Sequence, residues 1–169
     1  MKNKIEAKNL KKTAGFTLIE ILVVIGIIAI LAAIVIIAIN PAKQFAQARN
    51  TQRQAGVNAI LNAVGQRLAD NKGVFAGTFT IGATPYTCPT LPNASTTIAS
   101  TGGVDLACLV PTYIAQLPVD PNGGSWTNST TYNTDFSIAV DATGRITVCA
   151  GNAVSEGSLP TPTAICVTR

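Results

Sequence analysis

From Ile21 to Ile39 every position is apolar or glycine, with no polar face of any kind. A helix that is apolar on all sides has nothing to offer water, so such a run predicts a membrane span. Counted from Phe16 to Ile39 it would measure about 36 Å as a helix, enough for a hydrocarbon core of roughly 30 Å. At Asn40-Pro41 the pattern changes. Asparagine is a good N-cap and proline suits the first helical position, so the pair either starts a new helix or kinks a continuous one. Beyond it, Val57, Ile60, Leu61, Val64 and Leu68 recur at helical spacing, which predicts an amphipathic helix from Ala42 to about Asp70 with one covered face. Lys43, Arg49, Asn50, Gln52, Arg53 and Arg67 are expected on a solvated polar face of that helix. Asn71-Lys72-Gly73 supplies its stop.

Residues 74 to 169 read differently: threonine, glycine, proline and asparagine are frequent and charge is sparse, which suits a β-rich domain with surface loops. The clearest element is a hairpin. Phe136, Ile138 and Val140 alternate, as do Ile146 and Val148, and Asp141-Ala142-Thr143-Gly144 joins them as a four-residue turn. Val74 to Ile81 and Ile165 to Thr168 are weaker strand candidates, and Leu109 to Leu117 reads as a short helix or strand. Thr87 to Gly103 reads as a long exposed loop. The expected fold class is therefore α+β, a long N-terminal helix packed on a small antiparallel sheet, with one core built from the head and the second half of the helix.

Charge sharpens this reading at the N-terminus. Of 12 basic and 8 acidic residues, the first 15 positions hold Lys2, Lys4, Lys8, Lys11, Lys12 and the lone Glu6. Positive charge beside a first hydrophobic segment stays in the cytoplasm, so everything after residue 40 is expected outside. A secretory signal has an apolar stretch of only about 7 to 15 residues, shorter than this run. The remainder of the chain balances at seven basic and seven acidic side chains, which provides no basic stripe for nucleic acid, so no specific nucleic-acid partner is predicted. Glu20 is the anomaly. An acidic side chain near mid-bilayer costs about 2.5 to 3.5 kcal/mol, somewhat less toward the edge, so its presence asks for a partner.

Gly15-Phe16-Thr17-Leu18-Ile19-Glu20, set between the lysines and the apolar run, resembles the leader junction of a type IV prepilin. In that family a prepilin peptidase cuts after the glycine, the new N-terminal phenylalanine is methylated and the glutamate guides assembly. The resemblance therefore implies cleavage between Gly15 and Phe16, N-methylation of Phe16 and an assembly role for Glu20. Ala48 to Arg53, Ile60 to Ala63 and Asp70 to Gly73 look like the second half of the spine helix of bacterial pilins and pseudopilins. Residue ranges follow: leader 1–15, hydrophobic spanning or filament-core helix 16–40, amphipathic half 41–72, exported head 73–169. One departure is the lack of a proline in the apolar run, where Gly26 is the only helix breaker; glycine costs about 1 kcal/mol in a helix against about 3 for proline.

The function so implied is a structural subunit of a type IV pilus or related filament, serving adhesion, motility or DNA uptake. Its partners would be copies of itself, the prepilin peptidase, the pilus assembly platform and, during biogenesis, the cytoplasmic membrane; its destination would be an extracellular pilus. The rival readings are a pseudopilin or minor pilin of a secretion or competence system, and a membrane-tethered binding module that never polymerises. An enzyme is not expected, because a chain with no histidine lacks the base of a Ser/His or Cys/His constellation.

Cys88, Cys108, Cys149 and Cys166 fall on the exported side, where disulfides form, and four cysteines allow three connectivities. Pairing of sequence neighbours, Cys88 with Cys108 and Cys149 with Cys166, would close loops of about 20 residues. The second of these pairs resembles the C-terminal disulfide loop of many type IV pilins. Their spacing does not fit structural zinc, and no cofactor or metal is expected. Leu117-Pro118-Val119-Asp120-Pro121-Asn122 is similar to a Leu-Pro-x-Asp-Pro segment of pseudopilins, some of which bind calcium nearby. Asp120, Asn122 and Ser125 offer hard oxygens, but calcium takes six to eight, so a proline-fixed turn is the preferred reading. Asn93-Ala94-Ser95 and Asn128-Ser129-Thr130 match the glycosylation acceptor pattern.

Overall fold

The computed structural model of the chain describes residues 15–169, the side chain of Ala38 excepted. The leader lysines and Glu6 lie outside the described residues. Two compact units meet at Asn40 and Pro41. The first holds α1, Leu18–Ala38. All its large aliphatic side chains are at least 50% exposed, as follows from a sequence with no polar face to turn outward. Gly26 does not interrupt it.

Ile39 is extended, at φ −97° and ψ 118°, and α2 begins at Pro41 and runs to Asp70. Of the two readings of Asn40-Pro41, the structure thus has the new helix. Proline has no N–H to leave unpaired in a first turn, which makes it a favourable start. At the other end the Gly73 N–H returns to the Leu68 carbonyl at 2.8 Å, the wide closing bond that ends many helices.

The second unit wraps a sheet around α2. Its strands are β1 (Gly77–Ile81), β2 (Thr84–Cys88), β3 (Thr96–Ala99), β4 (Ser125–Asn128), β5 (Thr131–Val140), β6 (Ile146–Ala150) and β7 (Ile165–Thr168). β1 and β2 form a hairpin of their own, while β3-β5-β6-β7 run side by side with β4 also on β5. All strand pairs are antiparallel. The expected hairpin is β5 and β6, with Val140 opposite Ile146. Its alternation places Phe136, Ile138, Ile146 and Val148 in the core beside Val57, Ile60, Leu61 and Val64 of α2, while Leu68 is half-buried. Helix and sheet approach closely at Gly56, where a Cβ would lie 2.9 Å from Cε2 of Phe136. A side chain there would force the buried Phe136 ring or the helix to shift.

Two expectations about the head fail. Thr87 to Gly103 is not a long exposed loop: it contains the end of β2 and all of β3, and Ile98 is fully buried. The run Thr96-Thr97-Ile98 has too few apolar positions for its alternation to stand out, and its burial comes from pairing with β5. Leu109 to Leu117 is neither α-helix nor strand. A 3-10 turn over Ala107–Leu109 leads into turns, with Leu109 and Leu117 as separate plugs in the core. Tyr132 ties this region down, its hydroxyl donating to Asp105 Oδ1 at 2.7 Å and accepting the Leu106 N–H at 2.8 Å. Burial, then the bond to Asp105, pushes the phenol well above its ordinary pKa.

The four cysteines form two disulfides, Cys88 with Cys108 and Cys149 with Cys166. The first is buried in the core; the second bridges β6 and β7, where the two residues stand directly opposite each other.

Candidate functional site

The junction expected to matter most is built from local chemistry. Thr17 is the N-cap of α1 and Glu20 its third residue, and the two form a reciprocal capping box. Thr17 Oγ1 accepts the Glu20 N–H at 3.3 Å, while Glu20 Oε2 accepts the Thr17 N–H at 2.7 Å and its hydroxyl at 2.9 Å. A carboxylate here also faces the positive end of the helix dipole. Thr-x-x-Glu ahead of an apolar run is the sequence mark of such a box, and it offers Glu20 a partner that the sequence reading did not include. Gly15 and Phe16 precede the helix, with Phe16 84% exposed.

A second constellation lies in the other unit and corrects the picture of α2. Arg53 and Arg67 are buried, at 0% and 3% exposure, and Arg49 is half-buried, so these arginines do not form a solvated face. The Arg53 guanidinium makes a fork on Asp120, Nε to Oδ2 at 2.7 Å and Nη2 to Oδ1 at 3.1 Å. Its Nη1 donates to Glu156 Oε1 at 2.5 Å and to Asn50 Oδ1 at 2.7 Å. Arg49 reaches the same glutamate through Nε, at 2.8 Å from Oε1, and through Nη2 on Oε2. Two guanidinium groups and two carboxylates thus neutralise one another, with Arg53, Asp120 and Glu156 out of water and Arg49 half-buried at the edge, each with its bonds made, which is the condition under which buried charge is tolerated. Arg67 is held otherwise: Nε bonds the Phe75 carbonyl at 3.3 Å, and the guanidinium lies 4.4 Å over the Phe79 ring.

Among the residues of the calcium reading, Asp120 gives both carboxylate oxygens to Arg53, and Oδ1 also accepts the Asn122 N–H at 2.9 Å. Asn122 Nδ2 donates to Glu156 Oε1 at 3.3 Å, and Ser125 is an exposed residue of β4. Of the acceptor-pattern asparagines, Asn128 Oδ1 takes the Thr130 N–H and hydroxyl at 2.9 and 2.8 Å.

Glu156 belongs to the stretch that follows β6. Gly151 to Pro162 is poor in apolar residues, yet Ala153 is fully buried and Glu156 is a partner of both arginines. A signal was present in α2: Arg53, Val57, Ile60, Val64 and Arg67 lie on one i, i+3/i+4 series, so both arginines occupy core-facing positions.

The bond from Arg49 leads the causes that hold the Glu156 carboxyl down, to about 2 from an ordinary 4.5. A depressed carboxyl contributes stability that is complete above its unfolded pKa and disappears as pH falls through the folded one. Between pH 4.5 and 2 the chain should therefore lose stability, and Glu156→Gln should flatten the loss in that window. Urea midpoints measured at pH 7, 4 and 2.5 check this.

Residues 10–38 match the family described as the prokaryotic N-terminal methylation motif, so the chain carries a type IV pilin-like N-terminus. No curated protein and no solved structure shows a significant match. The matched segment and the apolar α1 suit a membrane-anchored precursor.

Proposed function

We propose that the chain is a structural filament subunit: cut after Gly15 by a prepilin peptidase, methylated on Phe16, and polymerised through α1. The observation that supports it most is the pairing of that motif with a helix whose large side chains are all uncovered. A helix of this kind is satisfied by lipid before assembly and by other copies of itself afterwards. Cleavage would leave a charged amine on Phe16, next in the chain to Thr17, whose N–H the Glu20 carboxylate already holds. In this reading Glu20 meets that amine, or the amine of a neighbouring copy, as the segment leaves the bilayer. Exchange of a polar cap for an ion pair would keep the carboxylate partnered through that step.

Shearing cells and identifying the main constituent of the released filaments tests the reading. This chain, starting at a methylated Phe16, is the expected result; recovery in the membrane fraction alone would sink the filament role. Glu20→Ala separates export from assembly. Removing the acid makes insertion easier, so the membrane pool and cleavage should persist while the filament pool falls. An unchanged filament yield would remove Glu20 from the mechanism.

A further inference from the structure

The geometry points to Asn122 as a site of spontaneous covalent modification, with water as co-reactant, whose product weakens the ion cluster around Arg53. Asn122-Gly123 is the sole Asn-Gly step in the chain. Attack by a backbone nitrogen on the preceding side-chain carboxamide is hindered by the Cβ of the attacking residue, and glycine alone has none. Both residues are exposed, so water reaches them. The neighbouring amides are engaged: the Asn122 N–H donates to Asp120 Oδ1 at 2.9 Å and the Gly124 N–H to the Asp120 carbonyl at 3.0 Å. Among the described residues the Gly123 N–H donates to nothing. The attacking nitrogen is the unengaged one of the turn.

Packing favours the susceptible step. A Cβ at position 123 would lie 2.2 Å from Asp135 Oδ2, an oxygen held by the Asn152 amide. Any other residue there would have to push the Asp135 carboxylate off Asn152, so the packing favours glycine where another residue would protect Asn122.

In the reaction the Gly123 nitrogen bonds to Cγ of Asn122 and the bond from Cγ to Nδ2 breaks. Ammonia leaves with the proton that the Gly123 N–H gives up. Water then opens the five-membered imide at one of its two carbonyls, giving aspartate, or isoaspartate with the main chain routed through Cβ. Nothing is oxidised or reduced.

The product lands on the cluster. Nδ2 of Asn122 now donates to Glu156 Oε1, which also accepts from Arg49 and Arg53. Conversion replaces that donor with a negative oxygen, setting like charges at hydrogen-bond distance and adding a third carboxylate to a balanced set of four charges. Isoaspartate would further displace the N–H that holds Asp120.

The experiment uses the full chain in detergent, aged at neutral pH in water enriched in heavy oxygen and then mapped by peptide mass spectrometry. Amide-to-acid conversion at residue 122 should precede that at every other asparagine, should carry one heavy oxygen, and should yield both aspartate and isoaspartate. Asn122→Gln should stay unmodified at 122, since its side chain would need a larger ring. A chain made as Asn122→Asp should unfold at a lower urea concentration than the parent, and Asn122→Ser should fall less. Conversion of another asparagine while Asn122 stays intact overturns the site. Equal urea midpoints for Asn122→Asp and the parent overturn its effect on the cluster.

Discussion

Arg53→Met should lower the unfolding free energy of the chain by about 3 to 5 kcal/mol, the cost of removing one partner from a buried ion pair. The loss is large because of what stays behind. Asp120 is 1% exposed, and without Arg53 its carboxylate keeps only the Asn122 N–H. Glu156 fares better, since Arg49 still reaches it. The destabilisation comes from a stranded charge rather than a missing attraction, so removing the charges together should restore part of it. Arg53→Met combined with Asp120→Leu and Glu156→Gln should be more stable than the single variant. Urea unfolding followed through Trp126, the single tryptophan, reports both; a single variant within about 1 kcal/mol of the parent would show that the cluster is open to water.

Loss of the Cys149–Cys166 bridge should cost about 2 to 5 kcal/mol. The bridge spans a sequence separation of 17, and a loop near that length restricts the unfolded chain by roughly 3 kcal/mol in the chain-entropy account. Burial adds little here, because Cys166 is exposed and Cys149 half-buried on the strand face away from Val148. Replacing both cysteines by serine should thus give nearly the full entropic loss and little more. Peptide mapping without reduction checks the linkage, and urea midpoints check its size. Cys88 and Cys108 are different, being 2% and 5% exposed within the core, so their replacement would combine a cavity with the lost constraint.

The parts of the fold that could be read from the sequence are those whose cause is local. The β5–β6 hairpin announces itself by alternation around Asp141 to Gly144, and Asp141 Oδ1 indeed gathers the Thr143 and Arg145 N–H groups. The α2 stripe and its stop at Asn71-Lys72-Gly73 are equally local. β3 was hidden, since Thr96 to Ala99 becomes a strand through β5, some 40 residues away in the chain. The Arg53 cluster was hidden for the same reason: its carboxylates come from residues 120 and 156. An arginine on an apolar stripe implies burial with a counter-charge, but periodicity alone does not say which carboxylate supplies it. The capping box is fully local, because Thr17 and Glu20 stand three residues apart ahead of the apolar run.

That helix start bears on the cleavage proposed after Gly15. Thr17 is extended, at φ −81° and ψ 153°, and the helix does not extend back through it. The peptide bond joining Gly15 to Phe16 therefore lies in unwound chain beside a rigid rod. Proteases take their substrates as extended strands, which a helix cannot provide without unwinding. Thr17 and Glu20 act as a fence between the two conformations: they hold the helix to its own side and leave the bond before Phe16 free to be gripped.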